Sequence, residues 1–270
     1  MRIVVCVKEV LDPDAVNNYA LAGRLEIGDD GKSLTQTAIP RLMNGFDEQA
    51  LEAALRIKDA GTECSITVVS AGPTPGDILK HAAALGADEV ASIEADPAVL
   101  DAHVIASLLA GYIRTTGGAD LVLCGRQASD DDQGVVPALV GEMLDLPIVT
   151  VARAVEVAAG GDGGWRVTRV TPDGDEVVAV TGSAVVTISN ELGDPRYPTA
   201  ASKIKARRVK PTLVAVSDLG LSADDSEPRV AFTEQFVPTI QGNCEFISGD
   251  SPADLADRLI ARLREDNVIQ

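Results

Sequence analysis

A chain of 270 residues with 46% hydrophobic content is long enough for one large α/β domain with an appendage, or for two modest domains. Its formal net charge of −18 excludes nucleic acid and anionic membrane as principal partners, since both demand a positive surface. No run approaches the ~20 consecutive apolar residues of a membrane span, and the apolar part of Met1-Arg-Ile-Val-Val-Cys-Val-Lys8 is short for a signal peptide, so a cytoplasmic protein without membrane insertion is expected.

In chain order, Arg2 to Val7 is a short strand rich in β-branched residues. Asp47 to Asp59 places Ala50, Leu51, Ala54, Leu55 and Lys58 on an i, i+3, i+4 stripe, which predicts a helix with Asn44 as its cap. Cys64 to Ser70 is the second strand. Asp77 to Asp88 repeats the helical pattern and stops at Gly86, as helices often do. Val90 to Ile93 reads as a strand, Leu100 to Gly111 as a helix, Leu121 to Cys124 as a strand and Pro137 to Leu144 as a helix. That alternation specifies an α/β fold, a doubly wound parallel sheet with right-handed crossovers.

After Pro147 the pattern changes. Val149 to Val157, Trp165 to Val170 and Glu176 to Val180 are strand-like runs separated by Gly160-Gly-Asp-Gly-Gly164 and Pro172-Asp-Gly174, which predicts a β-meander. Ala184 to Ile188 is a run able to rejoin the main sheet. Lys203-Ile-Lys-Ala-Arg-Arg-Val-Lys210 concentrates positive charge in an acidic protein; most such runs are solvated loops, and the asymmetry also suits a docking surface. Asp194-Pro-Arg-Tyr197 reads as a turn with proline at its second position. Ser222 to Arg229 has the composition of a linker, and Ser251 to Asn267 predicts a last helix with Leu255, Leu259, Ile260 and Leu263 on one face. The expected division is a nucleotide-binding α/β domain over 1–211, including the meander at about 149–182, and a C-terminal arm over 212–270.

The most informative stretch runs from Asp120 to Pro137. A buried strand ends at Gly125, where the chain turns into a polar loop before an apolar helix, and open α/β sheets bind nucleotides at such places. One of Asp130, Asp131 and Asp132 is a natural N-cap, leaving the amides of Gln133 to Val136 for phosphate oxygens. The same aspartates oppose a bare polyphosphate. With Arg126 offsetting part of that repulsion and Gly134 giving close backbone access, a monophosphate or a buried pyrophosphate is expected. An over-capped surface helix fits the spacing equally well. Cys6, Cys64, Cys124 and Cys244 form no Cys-x-x-Cys pair and have only His81 and His103 for company, so no metal site is expected; Cys6 and Cys124 read as small buried core residues.

Several segments in register resemble the beta subunits of electron transfer flavoproteins. They are Val7-Lys8-Glu9-Val10, Asn44-Gly-Phe-Asp-Glu48, Ser70-Ala-Gly-Pro73, Leu85-Gly-Ala-Asp88, Gly125-Arg-Gln-Ala128 with the three aspartates, and Asp194-Pro-Arg-Tyr197 with Lys205-Ala-Arg207. The resemblance covers nearly the whole chain. It implies an adenine nucleotide α-hydrolase-like (Rossmann-like) fold, and an electron carrier subunit that is no enzyme by itself. An alpha subunit would complete the heterodimer and hold most of the redox FAD, a flavin dehydrogenase would donate electrons, and a quinone-linked or other acceptor would receive them. By position, Cys6, Asn44, Phe46, Asp47 and Ala71 would surround the adenosine of a bound AMP. Gly125, Arg126, Gln127, Ala128, Asp130, Asp132, Gln133, Gly134, Val135 and Val136 would wrap its phosphate. Arg196, Tyr197, Ala200, Lys203 and Lys205 would meet partners.

The departures are equally specific. AMP-holding members carry Asn-Gln-Thr after the aspartates, where this chain has Gly134-Val-Val136. Electron-bifurcating members, which hold a second FAD that accepts hydride from NADH, carry Asp-Gly-Asp-Thr, where this chain has Asp130-Asp-Asp-Gln133. Ala200 stands where typical members place the leucine that anchors acyl-CoA dehydrogenases. A second FAD is therefore the alternative to AMP. An ATP pyrophosphatase-type enzyme lacks its phosphate loop here, and a nucleotide-binding stress protein would have no use for the basic patch or the terminal helix.

Overall fold

The computed structural model describes residues 1–73, 75–158, 163–237, 242 and 244–269. Two compact units emerge, Met1–Gln235 and Phe236–Gln270. The first is built on β1 (Arg2–Cys6), β2 (Glu9–Leu11), α1 (Pro13–Leu21), β3 (Arg41–Met43), α2 (Gly45–Asp59), β4 (Ser65–Gly72), α3 (Gly76–Leu85), β5 (Glu89–Glu94), α4 (Ala102–Thr115) and β6 (Leu121–Gly125). It continues through α5 (Val135–Leu144), β7 (Ile148–Val157), β8 (Gly164–Thr171), β9 (Gly174–Thr181), β10 (Ala184–Ile188), α6 (Ala200–Ala206) and β11 (Thr212–Val214).

Nine strands form one sheet in the order β11-β5-β4-β1-β6-β10-β7-β8-β9. The pairs from β11 to β7 are parallel, and β7-β8-β9 are antiparallel. The predicted doubly wound sheet is thus present, and the meander is a continuation of that sheet. The glycine-rich turn expected within it, Gly160 to Asp162, lies outside the described residues. Both faces are covered, which is why the central strands read as unbroken apolar runs. Ile3, Val5, Leu121, Leu123 and Val186 pack under α2 and α3, whereas Val4, Cys6, Val122, Cys124 and Val185 pack under α4 and α5. Each fully buried aliphatic side chain contributes about 2 kcal/mol. Trp165 closes the β8 end of the core, its indole nitrogen donating to the Asp120 carbonyl over 3.1 Å.

Connections run β1-α2-β4-α3-β5 to one side of β1, then return through α4 to β6 on its other side. The chain's direction of winding reverses at the β1/β6 boundary, which leaves a crevice beyond the carboxyl ends of those strands.

Several expectations need correction. β2 and β3, an antiparallel pair of three residues each, and α1, capped by Asp12, fill a region the periodicity left blank. Asn44 occupies the N-cap position of α2, yet its side chain makes no cap bond. Gly134, not an aspartate, precedes α5, again without a side-chain cap. Asp194 to Tyr197 forms no turn. The presumed linker is docked: Asp101, whose Oδ1 caps α4, accepts the backbone amides of Arg229 (2.6 Å) and Val230 (3.0 Å) on Oδ2, and Leu219 just before it is buried. β11 pairs with β5, so residues just past 211 belong to the sheet, and the first compact unit runs to Gln235.

The second unit carries α7 (Pro252–Glu265), capped by Ser251, whose Oγ accepts the Asp254 amide over 3.2 Å. Leu255, Leu259 and Ile260 are exposed along it. Among the described residues no helix is long and apolar enough to cross a membrane.

Candidate functional site

A cavity of about 480 Å³ opens at the β1/β6 crevice. Its floor is Cys6 and Cys124, its polar rim Lys8, Asn44, Asp47, Ser70 and the loop after β6, and its apolar wall Leu100, Ile105 and Leu109. A larger groove of about 1180 Å³ lies along Arg2, Ser65, Glu89 and α6, at the opposite ends of the strands. The smaller cavity is the stronger candidate for two reasons. It occupies the switch point, where the carboxyl ends of parallel strands present free backbone groups. It also gathers Lys8, Asn44, Asp47 and the loop after Gly125 opposite the apolar wall of Leu100, Ile105 and Leu109, the mixture of polar and apolar groups that an amphipathic ligand needs.

Asp47 is the hub of the rim. Its Oδ1 accepts the Gly125 amide and its Oδ2 the Lys8 amide, each over 2.8 Å, so one carboxylate ties the end of β1 to the end of β6. Gly125 must be glycine for this: a Cβ there would stand 2.5 Å from Asp47 Oδ1 and 2.7 Å from Phe46. Asn44 performs the next step, with Nδ2 donating to the Gln127 carbonyl (2.9 Å) and Oδ1 accepting the Ser129 amide (3.1 Å). Its capping capacity is spent on the loop. Asn44→Ala is expected to cost about 1–3 kcal/mol and to raise amide exchange across residues 127–133; unchanged protection there would refute the tether.

Burial pushes the Asp47 pKa up to about 6, against the lowering effect of the Lys8 and Gly125 amides and of Asn44. Because this folded-state value lies above the ordinary aspartate value of 3.8, the folded protein binds the proton more tightly than the unfolded chain. That stabilisation is complete below about pH 4 and is lost as pH rises through 6. Urea midpoints of the parent should therefore fall between pH 4 and 7 by an amount on the order of 3 kcal/mol that Asp47→Asn does not show. Parallel pH profiles of the two proteins would refute it.

Two of the three aspartates are paired with a cation that sequence reasoning passed over. Lys8 Nζ lies 2.7 Å from Asp130 and 3.5 Å from Asp131, Asp132 accepts from Gln127 (2.9 Å), and Asp131 accepts the Gln133 amide (3.0 Å). Arg126 does not take this part. Its guanidinium stacks 4.8 Å from the Phe46 ring centroid and donates to Ser189 Oγ over 3.2 Å, so both residues brace the loop from behind. Gly134 passes so near Arg126 that a Cβ would stand 2.6 Å from its carbonyl oxygen.

Of the residues predicted to hold a nucleotide, Cys6, Asn44, Asp47, Ala71, Gly125, Gln127, Ala128, Gln133, Val135 and Val136 line the cavity, while Phe46, Arg126, Asp130, Asp132 and Gly134 do not. Lys8 and Ser70 are lining residues that the reading missed. Ser70 follows Ile66 and Val68 at every second position of β4, and a lone polar residue on a buried face was a usable signal.

The expected partner residues lie apart from the cavity. Arg196 is already engaged, its Nε and a terminal nitrogen 2.7 Å from Glu52 and Asp59 respectively. Tyr197 is 92% exposed. Ala200 begins α6, Thr199 caps it, and Lys203 and Lys205 project from it into solvent.

An open, mostly parallel α/β sheet with helices on both faces and a polar-rimmed cavity at its switch point defines the class of doubly wound α/β proteins. Within that class the chain belongs to the electron transfer flavoprotein family, among its beta subunits: the family's electron transfer flavoprotein domain matches residues 33–219. Three similar proteins align over the whole of both chains. They are the caffeyl-CoA reductase-Etf complex subunit CarD of Acetobacterium woodii, 32% identical, and electron transfer flavoprotein subunits beta of Megasphaera elsdenii, 30%, and Thermoanaerobacterium thermosaccharolyticum, 34%.

Proposed function

We propose that this chain is the beta subunit of a cytoplasmic heterodimeric electron transfer flavoprotein, that its cavity holds an adenine nucleotide, and that the redox FAD is held mainly by the alpha subunit. The observation that carries the nucleotide reading is the cavity of about 480 Å³ at the switch point, where Lys8, Asn44, Asp47 and the loop after Gly125 meet an apolar wall, a size ordinary for a small-molecule site. The wall of Leu100, Ile105 and Leu109 suits an adenine face, and Lys8, Ser70 and the amides after Gly125 suit ribose and phosphate oxygens. The nucleotide supplies no chemistry in this role; the chain's residues bind it and keep water out of the crevice. The exposed stripe of Leu255, Leu259 and Ile260 on α7 is the surface expected to lie against the alpha subunit. Electrons would pass from a flavin dehydrogenase to a quinone-linked or other acceptor, with Tyr197, Lys203 and Lys205 in partner contact.

The leading occupant is AMP. A second FAD is favoured by one feature: Gly134-Val-Val136 opens α5 without side-chain donors for a terminal phosphate. Co-expression with the alpha subunit, denaturation of the purified complex and quantification of released nucleotides separates the two. One FAD and one AMP per heterodimer is the expected result, and two FAD without AMP establishes the bifurcating reading. Absence of any adenine nucleotide beyond one FAD would overturn the cavity assignment. Lys8→Met with Ser70→Ala should lower nucleotide content while leaving heterodimer assembly intact.

A further inference from the structure

Cys6 and Cys124 end the two central strands on the same face of the sheet. The pairing of Val4 with Val122 and Val5 with Leu123 brings Cys6 beside Cys124 one residue further on. Both thiols are free, both residues belong to the same buried cluster on that face, and both form the cavity floor. At 5% and 4% exposure they meet solvent only there. Cys64 and Cys244, the remaining cysteines, do not line it.

Neighbouring strands lie about 4.8 Å apart, and the side chains of facing residues stand parallel. A disulfide needs Cβ atoms about 3.8 Å apart, so a direct S–S bond would have to draw β1 and β6 together. An atom inserted between the two sulfurs requires no such movement, and paired soft sulfur ligands select thiophilic ions. We propose that Cys6 and Cys124 are a dithiol site for trivalent organic arsenicals, entered through the cavity and shielded when nucleotide fills it. The shielding clause rests on the nucleotide reading above; the dithiol site does not.

The step balances without a redox partner. With an organic arsenoxide, both sulfurs bond to arsenic, which stays trivalent, and the two thiol protons leave with the oxide oxygen as one water. Contact with Cys6, burial and the nearby Asp47 carboxylate hold the Cys124 thiol well above its usual range. Reagents that need a single free thiolate therefore react slowly there, whereas a two-armed ligand gains from both sulfurs at once.

The test uses the full chain, freed of nucleotide, treated with phenylarsine oxide and followed by intact mass. One adduct per chain with loss of one water is expected, retained in the Cys64→Ala/Cys244→Ala double variant and abolished by either Cys6→Ala or Cys124→Ala. No adduct on the parent, or an adduct that survives both single variants, overturns the site. Should the single variants fold poorly, the parent alone decides by protection. AMP at 100 times its Kd should slow adduct formation about a hundredfold, and an unchanged rate with AMP shown bound by equilibrium dialysis overturns entry through the cavity. If dialysis finds no nucleotide bound while the single variants lose the adduct, the nucleotide reading fails and the dithiol site stands.

Discussion

Gly125→Ala should be among the most damaging single-methyl changes in this protein. The new Cβ would stand 2.5 Å from Asp47 Oδ1 and 2.7 Å from both the carbonyl carbon and Cβ of Phe46. None of these is the free end of a flexible chain, because Asp47 is fixed by the amides of Lys8 and Gly125. Relief requires either the end of β6 or the start of α2 to move, which breaks the buried Gly125 hydrogen bond. Overpacking and one lost buried bond together amount to about 3–5 kcal/mol. Urea unfolding measures the stability loss, and the nucleotide content of the variant complex measures the cavity. A variant with the parent's unfolding midpoint and full nucleotide content would show that Asp47 is not a rigid tie.

Glu52→Ala should be nearly as severe, at a site remote from the cavity. Glu52 is 5% exposed, yet it serves two arginines from different parts of the chain. Arg56 Nε donates to Oε1 over 2.8 Å, and Arg196 donates to Oε2 from its Nε (2.7 Å) and its backbone amide (3.2 Å). Removing the acid leaves those donors without their acceptor. Breaking a buried pair costs about 3–5 kcal/mol, and since both guanidiniums reach solvent the expected loss is about 2–3 kcal/mol. Burial raises the Glu52 pKa, but the bonds from Arg196 and Arg56 outweigh it and leave the carboxyl below the ordinary glutamate value of 4.5. Its contribution is therefore complete above the unfolded value and disappears as pH falls through the lower folded one. The local consequence is testable by limited proteolysis: the segment from Asp194 to Thr199 leads into α6 and is anchored to α2 through Arg196, so cleavage at Lys203 and Lys205 should accelerate. Unaltered cleavage would mean that the segment is held by other contacts.

The parts of the fold visible in the sequence were those whose information is local. The stripe of Ala50, Leu51, Ala54 and Leu55 and the stop at Gly86 define α2 and α3 because burial on one helical face repeats every three or four residues. Three-residue strands such as β2 and β3 have no room for a period. Side-chain destinations are the main loss. Asn44 and the aspartates carry the right chemistry for helix caps, but their partners come from 83–85 residues away for Asn44 and 122–123 for Lys8 with Asp130 and Asp131. Tertiary bonds of that reach override a capping preference worth about 1 kcal/mol. Asp47 held a signal that the sequence reading did not use: it stands three, four and seven residues before Ala50, Leu51 and Ala54 on the buried face, where an acid must find donors, and it accepts two amides.

The strand order also bears on how the chain is made. β10 occupies the slot between β6 and β7, although it is translated after β7, β8 and β9. A nascent chain that has emerged as far as Gly125 can assemble β5-β4-β1-β6, and it then presents Leu121 to Gly125 as a bare apolar border until Ala184 to Ile188 arrive. The hairpins of β7 to β9 are produced in the interval with no neighbour on the growing sheet. Bare sheet borders recruit other chains, so the ribosome-bound stage between those two strands is where chaperone protection matters most for this protein and where slow translation would carry the greatest risk of aggregation.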